Sequence, residues 1–514
     1  MIYDMMLPAV LPWVSQWLTP VWVLSLGVTL GLVVLGLIWA VVSAVNRRWS
    51  NEIHDALTEG VLMPVLVLGG CLAVFAVVGF FVADNPALVA RSLQRIPSVG
   101  MRTVEFTLPA SAERAKDEFA EVPFEELAVN FRRDEIRRIE FRADQNLEVR
   151  TVSPNATDVK TGGMKLEINS GAPSVWIAPA QGLSLILPDA DVRAIYARNL
   201  GDKDAKLTMY LYTSPPVPEV WTILNSAIFT VLVFLLYLVP RLTNPRLSAV
   251  SLATFKSQTA QPVFLILVLL GVVAIIALLV WPFGTLGEDI KQMKKSGILV
   301  ILTAAIFQAI WAASTEIAEE IEGRTALTVL SKPLGRVSFI IGKFLGIFWT
   351  VALLFFIQGL LLLVLVAYKP IYEAREGAIQ DVTWQMCHGE MISVLPALLL
   401  AFMETIVLTS ISVAISTRLP MLANLILCFA IYVLGNLTPM IVQSGIGRFE
   451  IVQFFGRLIA TVFPNLESFN VEAAMSGGYV VPVAYLGSAA IYAGIYSLIA
   501  LFLALFLFED RDVA

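Results

Sequence analysis

The residues best suited to chemistry stand in a charged stretch, positions 316–343, between two long apolar runs. The stretch reads EIAEEIEGRTALTVLSKPLGRVSFIIGK, with carboxylates first and basic side chains after them. Gly323 permits a break in a helix that leaves the membrane and carries its glutamates into water, and Pro333 ends a short second helix over 325–330. A plain connection needs only a few residues, so the pattern predicts a protrusion on which a partner docks.

A second set of candidates consists of polar side chains inside the apolar runs. Glu404 is the clearest of them, because an ionisable group inside a membrane span is a functional candidate by default. The others are amides, at Gln308, Gln358, Asn424 and Asn436. These five side chains either line a route for cargo or hydrogen-bond neighbouring helices, and the sequence leaves both alternatives open.

Metal, disulfide and nucleotide chemistry find no support in the sequence. Cys71, Cys387 and Cys428 are far apart, so neither a disulfide framework nor a zinc spacing is present. Cys387 and His388 are adjacent and are predicted to be a solvated loop pair. The chain contains no Gly-x4-Gly-Lys-Ser/Thr loop for binding phosphates. Its net charge of −6 gives no reason to expect binding to nucleic acid.

The elements that position these candidates are membrane helices. Of 514 residues, 57% are hydrophobic and 15% charged, where a soluble protein carries nearer a quarter charged residues. A helix needs about 20 apolar residues to span a bilayer. The sequence therefore predicts a polytopic α-helical membrane protein with nine spans, at 21–45, 61–83, 220–239, 262–282, 297–315, 339–367, 392–416, 419–442 and 483–508.

The spans divide the chain into four regions. They are 1–83 with two spans, the polar insert 84–219, residues 220–245 with a third span and a linker, and 246–514 with six spans. Apolar and polar residues alternate in the insert, which predicts strands and a β-sandwich-like domain. Residues 199–204 read as a hairpin turn between two of those strands. The insert has no histidine or cysteine, and its acidic residues are better explained by turns than by catalysis.

Basic residues follow the first, third, fifth and seventh spans, and such residues favour the cytoplasmic side. The N-terminus and 84–219 are therefore expected outside, and the C-terminus in the cytoplasm. Lys291, Lys294 and Lys295 would then lie outside, against the rule. Three structures are open for residues 246–258. They form an interfacial helix with an apolar stripe of Leu247, Val250, Leu252 and Phe255, or a plain loop, or the start of the fourth span. An amphipathic pattern over 450–462 predicts another interfacial helix.

Short motifs in the C-terminal half resemble those of the ABC-2 type transporter permeases. Between its second and third core spans this family has an acidic helix end, a Gly/Arg-Thr step, Leu-Leu-Ser-Lys-Pro and Arg…Gly-Lys. The chain has Glu320-Ile321-Glu322-Gly323-Arg324-Thr325, Val329-Leu330-Ser331-Lys332-Pro333, Arg336 and Gly342-Lys343. It also has Pro464-Asn465-Leu466 before the last span and Phe508-Glu509-Asp510-Arg511-Asp512 after it, with Asp510 where the family has Arg. The resemblance covers residues 246–514, and residues 1–245 lie outside it.

The resemblance implies a permease subunit without enzymatic activity of its own, paired with a like or similar permease in the membrane of a bacterium. A separate ATPase would bind ATP and magnesium, so this chain would bind no cofactor. The segment 316–336 would be the coupling element. Its candidate contact residues are Glu316, Glu319, Glu320, Glu322, Gly323, Arg324, Thr325, Leu327, Leu330, Lys332, Pro333 and Arg336. The alternatives are a secondary transporter and a membrane-anchored binding or assembly protein that acts through 84–219. Nothing in the sequence selects a cargo, although export fits the family best.

Overall fold

The computed structural model describes residues 12–58, 60–110, 124–150, 165–177, 191–281, 288–322, 335–375, 382–443, 454, 463–470 and 481–509. The chain separates into two compact units. One unit is Asn85–Trp221, and the other combines Met1–Asp84 with Thr222–Ala514. The predicted helix at 450–462 and the predicted short helix at 325–330 lie outside the described residues, apart from Phe454.

Among the described residues, helices build the larger unit, and one α-helix, α4, belongs to the strand-bearing unit. The helices are α1 (Pro12–Val45), α2 (Arg47–Thr58), α3 (Leu62–Gly79), α4 (Pro86–Arg95), α5 (Trp221–Thr243), α6 (Pro245–Ala260), α7 (Pro262–Val280), α8 (Asp289–Ala313), α9 (Arg336–Arg375), α10 (Trp384–Ser393), α11 (Leu395–Ser416), α12 (Met421–Gln443) and α13 (Val483–Glu509). A π-helical turn, Ser314–Ala318, continues α8, and a last α-helical turn follows it at Glu319–Glu322.

Within the described residues, eight helical segments are long and apolar enough to cross a membrane. They are α1, α3, α5, α7, α8 as far as Ala318, α9, α10 together with α11, and α13. Each overlaps a predicted span, which confirms a multi-pass membrane architecture. The ninth predicted span, 419–442, coincides with α12. The apolar part of α12 whose side chains are described, Met421–Leu437, is shorter than the other eight.

Residues 246–258 form a helix of their own, α6, rather than a loop or the start of the next span. The Asn244 side chain accepts a long hydrogen bond (3.5 Å) from the Leu247 backbone N–H, and Pro245 is the first helical residue. Both are common features of a helix N-terminus. At the other end Gln261 has an extended backbone (ψ 141°), and α7 starts at Pro262. The backbone at Gln261 therefore separates α6 from the membrane span that follows.

The side chains that α6 buries are mostly polar. They are Ser248, Ser251, Thr254 and Gln258, together with Phe255. The physical reason is that lipid tails are as apolar as leucine, so apolar side chains gain little by turning inward in a membrane. Small residues that let helices approach closely take the interface instead. Leu247, Val250 and Leu252 of the predicted apolar stripe are half-buried, and the interfacial position of α6 stays a prediction.

Two glycines of α9 make the close approach of α6 possible. A Cβ added at Gly342 would lie 2.7 Å from Val250 Cβ, and one at Gly346 would lie 2.5 Å from Thr254 Cβ. Both distances are shorter than non-bonded carbons allow. Gly342 and Gly346 therefore let α9 and α6 approach closely, as small residues do between membrane helices.

In the part of the Asn85–Trp221 unit that the structure describes, the strands form two four-stranded sheets. The strands are β1 (Met101–Leu108), β2 (Glu125–Arg132), β3 (Ile136–Ala143), β4 (Leu147–Arg150), β5 (Lys165–Ile168), β6 (Ser174–Ile177), β7 (Asp191–Asn199) and β8 (Ala205–Thr213). One sheet has the order β1-β8-β3-β6 and the other β2-β7-β4-β5, and every pairing between neighbours is antiparallel. Side chains of both sheets, such as Leu207 from β8 and Leu147 from β4, share one hydrophobic core.

Residues 199–204 do not form the predicted hairpin turn. They connect β7 to β8, and these strands belong to different sheets. The Asn199 side chain holds the connection by donating to the backbone oxygens of Lys203 (2.8 Å) and Pro109 (3.1 Å). Alternation along a strand shows which residues face a core, but not which strand pairs with it. The prediction of a turn at 199–204 is therefore correct, but the prediction that β7 and β8 pair with each other across it is wrong.

Candidate functional site

The candidate site is a group of charged side chains where the end of α8 faces the beginning of α9. Lys343, in the second turn of α9, places its Nζ 2.6 Å from Glu316 Oε2 and 2.6 Å from Glu320 Oε1. The Lys343 side chain is 8% exposed, that of Glu316 is 6% exposed and that of Glu320 is 29% exposed. The ammonium group also lies 5.6 Å from the centre of the Phe339 ring. We call Glu316, Glu320 and Lys343 the carboxylate–lysine clamp.

A third helix joins the carboxylate–lysine clamp through an amide. Gln258 of α6 donates from Nε2 to Glu316 Oε1 at 2.9 Å and to Thr315 Oγ1 at 3.0 Å. Both oxygens of the Glu316 carboxylate therefore have partners, one on α6 and one on α9. A buried carboxylate is tolerated only when it is paired and hydrogen-bonded in this way. The clamp thus fastens α6, α8 and α9 to one another at a single point.

Glu316 reaches these partners because it stands in the π-helical turn Ser314–Ala318. A π-turn inserts one extra residue into a helix and re-aims the side chains around it, and such turns are frequent at functional sites. Ser314 Oγ donates to the Ile310 backbone oxygen at 2.8 Å, and Thr315 Oγ1 to that of Trp311 at 3.1 Å. These side chains offer the local carbonyls a second donor, which is how Ser and Thr disturb regular helices.

The prediction that the glutamates after α8 stand in water is wrong for Glu316, which is buried. Glu319 is exposed and Glu320 is intermediate. The reason lies in α9, whose Lys343 approaches from the opposite side and replaces water as the partner. Glu322 ends the last described turn, and nothing further is described for its side chain.

At the other end of the segment, Arg336 opens α9 and is exposed. Its Nη1 donates to the Glu509 backbone oxygen at 3.4 Å. One turn later, the Phe339 ring stacks on Phe508 with centroids 5.7 Å apart. The remaining predicted contact residues lie outside the described residues: Gly323, Arg324, Thr325, Leu327, Leu330, Lys332 and Pro333.

Asn424 binds the other side of the π-turn. Its Nδ2 lies 2.9 Å from Ser314 Oγ, 2.8 Å from Ser412 Oγ and 2.8 Å from Ser416 Oγ. Cys428 Sγ lies 3.2 Å from Asn424 Oδ1. Asn424 is fully buried and joins α8, α11 and α12. These contacts are interhelical hydrogen bonds, the packing role that the sequence left open for the amides.

The other intramembrane candidates do not gather around Asn424. Gln308 Nε2 lies 3.5 Å from Gln258 Oε1, a long contact that places it beside the clamp. Gln358 donates to the Leu267 backbone oxygen of α7 at 3.0 Å. Asn436 donates to Glu404 Oε1 at 3.3 Å, and Glu404 is 5% exposed. The structure thus distributes the five predicted pathway residues over four separate contacts between helices, one of which Glu404 and Asn436 share.

A second buried charge group lies where α8 begins, at the opposite end of that helix from the clamp. Lys294 pairs with Glu390 of α10 and donates to Ser393 Oγ at 2.7 Å. Lys369 is 1% exposed and lies 4.0 Å from Asp289. Sequence reasoning missed these partners and treated Lys294 as a loop charge. The only available signal was its place within one turn of an apolar helix.

Cys387 and His388 are buried in α10 rather than solvated in a loop. His388 Nε2 lies 3.0 Å from Thr222 Oγ1, so a neighbouring helix supplies its polar contact. The Thr383 side chain caps α10, which extends the helical part of the chain beyond the predicted span. The described residues contain no group of three or more His, Cys, Asp or Glu side chains that could hold a metal ion.

Sequence reasoning also missed Gln258 and the role of Lys343. Lys343 stood in a recognised motif, but nothing in the sequence linked it to Glu316. Both carboxylate oxygens of Glu316 and the ammonium group of Lys343 are engaged in contacts between helices. Comparison of the chain with family models, with curated proteins and with solved structures gives no match.

Proposed function

We propose that this chain is the permease subunit of an ABC-2 type transporter in a bacterial cytoplasmic membrane. A separate ATPase subunit would dock on residues 316–336 and hydrolyse ATP, with magnesium, on the permease's behalf. The observation that carries this proposal is the buried carboxylate–lysine clamp. It fastens together the two helices between which the docking segment runs.

The clamp suits a coupling element for a mechanical reason. Rigid-body motion of a docked subunit reaches the membrane only if the docking segment is fixed to the helices that must move. Lys343 fixes α9 to α8, and Gln258 adds α6 to the same point. A segment that merely turned the chain around would have no need of a buried ion pair at its base.

The two stretches that carry the resemblance also meet in the fold. Arg336 follows the Ser-Lys-Pro motif, and its guanidinium contacts the backbone of Glu509 in the C-terminal motif. Phe339 and Phe508 stack beside this contact and are both fully buried. This contact supports the proposal that the two motifs belong to one structural element.

The proposed orientation places the N-terminus and residues 84–219 outside and the C-terminus in the cytoplasm. Two of the lysines that would lie outside, against the rule on basic residues, are paired with carboxylates. Lys294 is buried against Glu390, and Lys291 lies 2.9 Å from Glu288. The working transporter would contain two permeases, alike or different, and two ATPase subunits. Export is the proposed direction, and the strand-bearing unit is a candidate for contact with cargo or with a partner outside.

The test is co-purification of an ATPase with the full-length chain from its native membrane. We expect an ATPase to accompany the wild type, and to be lost from a charge-reversed Arg324→Glu/Lys332→Glu variant. The matched control is Lys291→Glu, which reverses an exposed charge at the other end of α8 and should keep the ATPase. Absence of any ATPase from the wild type, or equal recovery with the Arg324→Glu/Lys332→Glu variant, would overturn the proposal. Proteins recovered through 84–219 instead would favour an assembly role.

A further inference from the structure

Glu404 and Glu316 are both glutamates of membrane helices and are each 5% exposed, but their surroundings differ. The carboxylate of Glu316 has the Lys343 ammonium group at 2.6 Å on one oxygen and the Gln258 amide at 2.9 Å on the other. Glu404, on α11, accepts one long hydrogen bond (3.3 Å) on Oε1 from Asn436 Nδ2 of α12. Among the described residues it has no ion pair. Glu404 is therefore a buried acidic group whose charge nothing in the described part of the chain balances.

Polar groups close to Glu404 are engaged elsewhere. Thr405 and Thr409 of the same helix donate to backbone oxygens of α11 at 2.8 and 2.7 Å. Asn436 divides its amide between Glu404 and the backbone oxygen of Tyr432, which lies at 3.0 Å. No described side chain donates to the second carboxyl oxygen of Glu404, Oε2. One long hydrogen bond replaces water poorly, because an ionised carboxylate has sites for about four.

The position of Glu404 along α11 makes an unbalanced charge unfavourable. At a rise of about 1.5 Å per residue, Glu404 lies about 14 Å from Leu395 and about 18 Å from Ser416, the two ends of the helix. The hydrocarbon core of a bilayer is about 30 Å thick, so a spanning helix of this length places Glu404 well inside it. A carboxylate that is buried without a cation takes up a proton and becomes neutral, because its ionised form is strongly disfavoured there.

The group that faces the Glu404 carboxyl favours a proton over a metal ion. Hard metal cations take several oxygen ligands. Asn436 presents an N–H instead, and its nitrogen is assigned as the donor because the same atom contacts the Tyr432 backbone oxygen. The positive end of an N–H bond repels a cation, whereas a neutral carboxyl group still accepts this hydrogen bond on its carbonyl oxygen.

We propose that Glu404 is a proton-binding site within the membrane, with the proton on Oε2 and the hydrogen bond from Asn436 on Oε1. On the helices packed against α11, the described titratable side chain that interacts electrostatically with Glu404 is Tyr432 of α12. A phenol is neutral at pH 7, so Tyr432 supplies no cation that would hold Glu404 ionised. The site lies inside the spans and binds a proton, so it goes beyond the docking of an ATPase on residues 316–336.

The test is infrared spectroscopy of the full-length protein at about pH 7, in a maltoside detergent that has no carbonyl group of its own. The carbonyl band of a protonated carboxylic acid is separate from the carboxylate bands, and an ordinary glutamate is protonated in less than about 1% of molecules at this pH. We expect the band in the wild type and its loss in Glu404→Gln, which keeps the size of the side chain. Glu316→Gln, the matched buried control, should leave the band unchanged because Lys343 holds Glu316 ionised. A contribution from Glu373 is common to all these proteins and cancels in the differences.

A second pair of variants tests whether the missing cation is the cause. Asn436→Lys brings an ammonium group to Glu404, so the carboxyl should ionise and the band should disappear although Glu404 is still present. Asn436→Leu removes the same amide without adding a charge and should keep the band. The amide bands of each spectrum report whether the helices are intact. A wild-type spectrum equal to that of Glu404→Gln would show that Glu404 is ionised and would overturn the proposal. Loss of the band in Asn436→Leu as well as in Asn436→Lys would overturn the argument from charge.

Discussion

The ammonium group of Lys343 lies 2.6 Å from a carboxylate oxygen of Glu316, and both side chains are more than nine-tenths buried. The two residues are 27 positions apart and stand on helices that leave and re-enter the bundle. Their contact closes the base of the segment that holds the candidate docking residues. Any force applied to that segment would therefore reach α8 and α9 together.

Removing the lysine is expected to destabilise the bundle strongly. Lys343→Met leaves the buried carboxylate of Glu316 without its cation, and breaking a buried pair in this way costs about 3–5 kcal/mol. The apparent melting temperature in detergent measures the effect. Lys291→Met removes an exposed lysine from an exposed pair and should cost less than about 1 kcal/mol.

The double variant Lys343→Met/Glu316→Gln sharpens this prediction. It removes the buried charge that the single variant strands, so it should be more stable than Lys343→Met alone. A double variant at or below the stability of Lys343→Met would show that the ion pair is not what holds the two helices together.

Close packing of α6 on α9 should be sensitive to a single methyl group. Gly346→Ala places a Cβ 2.5 Å from Thr254 Cβ and 2.7 Å from the Ser251 backbone oxygen, so the helices must separate. Overpacking of this kind costs about 1–3 kcal/mol. Gly335→Ala, at a position where a Cβ meets nothing within 4 Å, is the control. Equal melting temperatures for the two variants would contradict the observed contact.

The membrane helices could be predicted well from the sequence because they depend on composition over many residues. A span must be apolar whether lipid or another helix lies beside it, so it can be recognised before its packing is known. The packing face of α6 could not be predicted in the same way, since apolar residues in a membrane do not indicate which side faces inward.

The candidate site was predicted only in its position along the chain. The sequence marked Glu316 and Glu320 as unusual, but the rule that charged residues after a span stand in water assigned them the wrong surroundings. The partners of Glu316 come from α6 and α9, and their contact with Glu316 depends on how the helices pack. The prediction of a hairpin at Asn199 was wrong for a similar reason, because the pairing of strands is a long-range property that local turn chemistry does not determine.

A pH effect is expected in the strand-bearing unit. On β3, Arg142 Nε donates to Glu140 Oε1 at 2.7 Å and Arg138 Nη2 to Glu140 Oε2 at 2.8 Å. The hydrogen bond from Arg142, together with the charges of both arginines, lowers the pKa of Glu140 below its ordinary value of 4.5. A carboxyl group whose pKa is lower in the folded state stabilises the fold above its unfolded pKa and loses that effect as the pH falls through the folded pKa.

Hydrogen exchange of β3 peptides in the full-length protein measures this effect. Protection of residues 136–143 should fall more in the wild type than in Glu140→Gln as the pH is lowered from 7 to below 4.5, with each pair compared at one pH. Glu105→Gln removes an exposed carboxylate from β1 of the same sheet and is the matched control. A pH response of Glu140→Gln as large as that of the wild type would remove Glu140 as its source.

The number of hydrogens on Asn424 Nδ2 predicts how much each of its serine partners contributes to stability. Its Nδ2 has two hydrogens but lies within 2.9 Å of three serine oxygens, so one acceptor is always redundant. Ser412→Ala should therefore change stability by less than about 0.5 kcal/mol. Asn424→Leu removes every one of these bonds at similar volume and should cost about 1–2 kcal/mol, the worth of a hydrogen bond between membrane helices in model peptides.

Melting temperatures of the two variants in the same detergent measure this difference in stability. A destabilisation by Ser412→Ala equal to that by Asn424→Leu would mean that Asn424 does not hold α8, α11 and α12 together through the shared amide.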